Sequence, residues 1–153
     1  MIRKTVLAFV VASTLVIAPL AAVAGETAGR IGWLTYDAAK AKGENQSQKY
    51  FIYFSSRNCG YCRMLESKTF SNTDVSAYIN ENYIPVQVDI DKERKIAASF
   101  GIRGVPDLRF LASDGATIGR WIGFTEADHL LQLLKYVQTD SYLTMSFNDF
   151  AKK

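Results

Sequence analysis

The only two cysteines of the 153-residue chain stand as Cys59-Gly60-Tyr61-Cys62. A pair at this spacing can shuttle electrons, help to hold a metal or serve as a plain cross-link. Structural zinc takes four Cys or His ligands, and the chain offers two Cys and one His, so a zinc site within one chain is excluded. Covalent haem attachment wants His directly after the second cysteine, where this chain has Arg63. An inert staple stays open, although so short a loop restrains few residues and stabilises little. The residues favour a redox dithiol with Cys59 as nucleophile and Cys62 as its resolving partner, needing neither metal nor cofactor.

The flanking sequence says what must position the pair. Tyr50-Phe51-Ile52-Tyr53-Phe54-Ser55 has strand character, and Met64 to Phe70 reads as a helix. The cysteines therefore fall where a strand ends and a helix begins. Free N–H groups and the positive end of the helix dipole stabilise a thiolate there, and the thiolate is the attacking species. Arg57 and Arg63 flank the motif; they either favour the thiolate electrostatically or are solvated surface charges.

The chain has room for one domain, and its hydrophobic content of 48% is ordinary for a globular one. Residues 1–24 read as a cleavable secretory signal peptide: Arg3 and Lys4, an apolar run from Val6 to Ala18, Pro19, then Ala22-Val23-Ala24. The apolar run is shorter than the roughly 20 residues of a membrane span. Removing it takes away two of the 18 basic residues and leaves a nearly neutral chain, which gives no electrostatic case for nucleic acid or an anionic membrane. Residues 25–153 form the expected single domain, a monomer. Outside the cytosol a dithiol either donates disulfides or is kept reduced by imported electrons.

Gly25 to Ile31 reads as a flexible lead-in. Thr35 can cap a short helix through Lys42, and a polar loop then leads to the strand. Ser71 to Asp74 can cap a helix over Val75–Asn80, and Tyr83 to Ile90 alternates as a strand that tolerates Pro85 at its start. Asp91 to Phe100 reads as a helix closed by Gly101. Strands over 107–111 and 117–122 enclose the turn Ser113-Asp114-Gly115. A last helix starting at Thr125 to Asp128 buries Leu130, Leu131, Leu133, Leu134 and Val137, with His129 read as a solvated surface residue. The aromatic tail over 140–153 is read as a short added helix without an assigned role. This order implies an α/β fold, a central mixed β-sheet with helices on both faces.

Cys59-Gly60-Tyr61-Cys62 joined to Gly101-Ile102-Arg103-Gly104-Val105-Pro106 resembles the thioredoxin family. The stretch from Lys68-Thr69-Phe70-Ser71-Asn72 to Asp91 is similar to the C-terminal domain of DsbD-type membrane reductases, and the likeness spans roughly 33–137. The resemblance implies a thioredoxin-like fold with a cis Pro106 lying against the cysteines. It also implies a substrate surface made by Val105, Pro106, Gly60 and Tyr61, with Val105 pairing to an extended segment. It implies a periplasmic protein-disulfide reductase acting on protein disulfides or thiols, supplied with electrons by a DsbD-type membrane partner. The alternatives are a disulfide oxidase or isomerase, suggested by Gly60-Tyr61, and a non-catalytic binding module with a structural disulfide.

The chain departs from the family pattern in several places. Asn58 stands where Trp is usual before the first cysteine. Tyr53 replaces a buried acid, Gln87 the lysine beside it, and Asp107 the usual Thr after the cis-proline. Without the buried acid, the proton of Cys62 needs another acceptor, such as Glu66 or water.

Overall fold

The computed structural model describes residues 29–44 and 47–152. The expected signal peptide, and the lead-in as far as residue 28, lie outside the described residues. Tyr50–Ser55 belongs to strand β1 (Lys49–Ser55), which lies inside a sheet completed by β2 (Tyr83–Asp89), β3 (Asp107–Leu111) and β4 (Thr117–Ile122). The strand order is β2-β1-β3-β4, with β1 parallel to β2 and antiparallel to β3. The sheet is therefore mixed, as expected. Leu34 adds a parallel bridge to Val86 on the outer edge of β2. The Pro85 carbonyl and Gln87 N–H both bond Leu34, so the missing N–H of Pro85 falls on that edge, where the ladder asks nothing of it.

Two cores follow from the pleat. Phe51, Tyr53, Leu108 and Phe110 project to one face; Ile52, Phe54, Ile84, Val86 and Val88 project to the other. The first face is covered by three elements. They are the helix of the cysteines (α2, Gly60–Met64, continuing as a π-helical segment over Leu65–Phe70), α3 (Thr73–Asn82) and α5 (Ala127–Gln138). The second face is covered by α1 (Tyr36–Gly43) and α4 (Arg94–Ser99), through Ala39, Ile96 and Phe100. Strands buried on both sides explain why β1 and β2 read as near-continuous apolar runs.

Local signals set most boundaries. Thr35 caps α1 by accepting the Ala38 N–H, and Asn72 caps α3 by accepting those of Asp74 and Val75. Helix α4 is shorter than the helix expected over 91–100. Its N-terminal residues are held instead in a turn, with the Asp91 N–H on the Asp89 carboxylate and the Asp89 N–H on Glu93. Side-chain acceptors compete there with the helical ladder. Residues 30–32 are pinned rather than loose: the Asn80 amide donates to the Arg30 carbonyl and accepts the Gly32 N–H.

His129 is not solvated as expected. It is half-buried between Trp121 (4.6 Å) and Phe147 (5.2 Å), with Nδ1 2.8 Å from the Thr125 hydroxyl. The contact partner is α6 (Phe147–Phe150) in the tail, which docks on α5 through Tyr136. Leu131 is only half-buried, while its neighbours Leu130 and Leu134 are fully enclosed.

Helix α4 ends as its sequence requires. Gly101 takes φ +62°, with its N–H on the Ala98 carbonyl and the Ile102 N–H on Ala97. An L side chain there pays the left-handed penalty, so Gly101→Ala is expected to cost about 1–2 kcal/mol. Urea unfolding of the oxidised protein measures it; an unchanged midpoint would contradict the turn geometry.

Candidate active site

Strand β1 stops at Ser55, and three residues turn the chain into α2. The Ser56 hydroxyl and the Arg57 N–H both donate to Asp91 Oδ2, at 2.8 and 3.2 Å. The Cys59 N–H closes the turn on the Ser56 carbonyl. Cys59 is the N-cap residue of α2, with extended backbone, and its Sγ accepts the Cys62 N–H at 3.0 Å. The sulfur thus occupies the position where a capping oxygen would sit, against the free N–H groups of the helix start. Cys59 and Cys62 are joined in a disulfide; Cys59 is partly exposed and Cys62 is only 1% exposed. Of the two sulfurs, that of Cys59 is therefore the one on the more open side.

The loop between α4 and β3 comes up against this sulfur. Cys59 Sγ lies 3.5 Å from the Val105 carbonyl oxygen, and the Val105–Pro106 peptide is cis. Gly123, just past β4, donates its N–H to the Pro106 carbonyl at 2.8 Å. Val105 is half-buried, Pro106 buried, Gly60 exposed, and Tyr61 exposed to 61%. The structure therefore brings Cys59, Cys62, Val105 and Pro106 together, with Gly60 and Tyr61 in the same motif and facing outward.

Beneath the pair, Tyr53 projects from β1 toward α2. Its hydroxyl donates to Glu66 Oε1 at 3.0 Å and lies 3.5 Å from the Cys62 carbonyl oxygen. Burial, and then the neighbouring Glu66 carboxylate, push the Tyr53 hydroxyl well above the ordinary phenol range, so it stays a donor. Glu66 and Cys62 line one cavity of about 540 Å³, together with Gln87, Asp89, Lys92 and Glu93. A carboxylate thus shares a cavity with the buried cysteine, although the position six residues before Cys59 carries a phenol.

Arg57 and Arg63 are both exposed, and the Arg63 guanidinium donates to the Arg57 carbonyl at 3.2 Å. This bond braces the turn before Cys59. Asp107, by contrast, is fully buried and ion-paired to Arg109 and Arg120. Sequence reasoning passed over this cluster, although Asp107-Leu108-Arg109 carries a usable signal. Opposite charges at i and i+2 of a strand share one face.

A disulfide with one partly exposed sulfur at a helix start, its buried partner three residues on and a cis-proline loop beside them define a thiol–disulfide oxidoreductase built on a thioredoxin-like fold. The sequence model of the thioredoxin-like domain matches residues 35–138, and the chain belongs to that family. Among relatives, the thioredoxin-like protein YosR from the SPbeta prophage of Bacillus subtilis is 35% identical over 81 residues, covering 51% of this chain and 89% of YosR. An uncharacterised Archaeoglobus fulgidus protein is 33% identical over 63 residues, covering 41% of this chain; the match spans only 50% of that protein's length. A thioredoxin from Thermus thermophilus superposes with TM-score 0.64 at 23% identity, over 70% of this chain and 86% of its own. The reduced C-terminal domain of Neisseria meningitidis DsbD does so with TM-score 0.54 at 21% identity, over 65% and 89%. At these identities the two structures speak for the fold alone.

The Ser56 hydroxyl, and next the Arg57 N–H, hold the Asp91 carboxyl below its ordinary value of 3.8. A depressed folded value contributes stability above the unfolded pKa, and the contribution is lost as pH falls through the folded one. An NMR titration of Asp91 should show a midpoint below 3.8 that Ser56→Ala moves back toward it. Identical midpoints in the two proteins would mean that the hydroxyl does not brace this turn.

Proposed function

We propose that the protein is an exported, periplasmic protein-disulfide reductase, kept reduced by a membrane electron transporter of the DsbD type. The observation that carries the reading is the placement of Cys59 Sγ, 3.0 Å from the Cys62 N–H and 3.5 Å from the Val105 carbonyl oxygen. An extended substrate paired to the Val105 backbone would present its disulfide directly to that sulfur. The leader-like residues 1–24, the DsbD-like stretch through Asp91 and Gly101-Ile102-Arg103-Gly104-Val105-Pro106 support the compartment and the direction.

The Cys59 thiolate attacks one sulfur of the substrate disulfide, forming a mixed disulfide and releasing the other sulfur as a thiolate. Cys62 then gives its proton to Glu66, and its thiolate attacks Cys59 Sγ. The second substrate sulfur leaves, the Cys59–Cys62 disulfide closes, and two electrons have passed to the substrate. The donor dithiol reverses these steps to restore the reduced pair. In this scheme Tyr53 orients the Glu66 carboxylate by donating to Oε1.

Gly60-Tyr61 favours a second reading, a disulfide oxidase or isomerase, in which the same exchange runs toward substrate oxidation. The reduction potential decides. A value near about −270 mV supports the reductase, and one between about −120 and −180 mV overturns its direction. A pair that stays oxidised well below about −300 mV is a structural disulfide in a binding module.

The proton route has its own test. Glu66→Gln should slow resolution of the mixed disulfide by about tenfold or more at neutral pH, with little change in the initial attack by Cys59. Stopped-flow thiol release separates the two steps; equal slowing of both would remove Glu66 from the route.

A further inference from the structure

The loop that presents Val105 is anchored at its ends, by the Gly101 and Ile102 N–H groups and the Pro106 carbonyl, and by the packing of Ile102 and Val105. Its middle has few backbone bonds. Arg103, Gly104 and Val105 donate no backbone hydrogen bond among the described residues, and Arg103 and Gly104 are exposed. Gly101 and Gly104 add backbone freedom. Directly after this loop comes Asp107, fully buried on the sheet face opposite Tyr53 and register-paired with Phe54. Arg109, two residues on and also buried, grips it with both arms, Nε to Oδ1 at 2.6 Å and Nη2 to Oδ2 at 3.3 Å. The same Nη2 donates to the Phe100 carbonyl at 3.1 Å. Arg120, the cross-strand neighbour of Arg109, reaches Asp107 Oδ2 at 3.3 Å.

Phe100 closes α4 and Asp107 opens β3, so the Arg109 guanidinium ties together the two residues that flank the 101–106 loop. Stability alone is a poor reason for such a cluster. A buried ion pair pays heavily for desolvation, and well-packed apolar replacements are often neutral or stabilising. What the pair supplies is a fixed geometry. The fork shape of arginine matters here, because a lysine offers a single point charge and cannot serve a carboxylate and a carbonyl in this way.

We propose that Asp107 and Arg109 are positioning residues for substrate, a clamp that holds the Val105 backbone ready beside Cys59. The proposal rests on the reading that Val105 pairs with an extended substrate.

The test uses the full chain and two disulfides. One is an extended peptide with its disulfide flanked by several residues on each side; the other is 2-hydroxyethyl disulfide, which has no backbone to pair. For Arg109→Lys, kcat/KM on the peptide should fall by about tenfold or more, while turnover of the small disulfide stays within about twofold. Hydrogen exchange at Gly101 and Ile102, whose N–H groups bond the Ala98 and Ala97 carbonyls, should rise without change in β1. The paired variant Asp107→Leu with Arg109→Met should keep or raise the thermal midpoint and still lose peptide turnover, a split that a merely structural role does not give. Parallel loss on both substrates, or unchanged turnover with unchanged exchange, would overturn the clamp. A wild type that reduces both disulfides equally well would sink the strand-pairing reading, and the substrate clamp with it; loss confined to the variants' peptide turnover tests the clamp alone.

Discussion

The Cys62 N–H directed at Cys59 Sγ is the contact on which the sulfur end depends. It exists because the first turn of α2 leaves N–H groups without helical partners, and because Cys59 occupies the capping position. The contact can be kept only if the chain enters the helix at one angle. Strand β1 fixes that angle by being paired on both sides, along its whole length with β2 and over 50–54 with β3. The turn over 56–58 carries the constraint forward through Asp91 and the Arg57 carbonyl. A sulfur attached to an edge strand or a free loop would have no such reference frame.

The two faces of the sheet then play different parts. On the α2 side, the buried polar side chain beneath the cysteines is Tyr53, a neutral donor whose bond to Glu66 costs little desolvation. On the α4 side, the buried polar group is Asp107, a carboxylate that requires Arg109 and Arg120 to be tolerated at all. Both lie toward the sulfur ends of their strands, and both bear on a cysteine partner: Glu66 shares a cavity with Cys62, while Asp107 follows the loop that touches Cys59. Elsewhere the strand interiors are almost wholly apolar. Departures from a simple core therefore concentrate where chemistry takes place.

Much of this was legible in the sequence. The strand before the cysteines, the helix after them, the Gly101 stop and the hairpin around Gly115 rest on short-range rules, and each element stands where those rules put it. The site pair was legible because two cysteines leave few assignments. Less legible were features created by side chains meeting across the fold. Asp91 and Glu93 read as a charged helix start, yet their carboxylates and that of Asp89, at the end of the strand, bind backbone donors, and the helix begins only at Arg94. His129 read as exposed because the tail that covers it returns from 18 residues downstream. Asp107 read as an anomaly because its partners sit at 109 and 120, one of them on another strand.

A protein that cycles between dithiol and disulfide has to stay folded in both states, and the distribution of stabilising contacts meets that demand. The Cys59–Cys62 link closes a loop too short to restrict the unfolded chain much. Stability comes instead from the two apolar layers on the sheet and from caps and clamps that contain no sulfur, such as the Thr69 hydroxyl on the Thr125 carbonyl, which joins the redox helix to the start of α5. Breaking the disulfide leaves these contacts intact. The free energy of the redox couple is then set locally, by how well the helix start stabilises a Cys59 thiolate and how readily buried Cys62 gives up its proton. The fold is thereby insulated from its own chemistry.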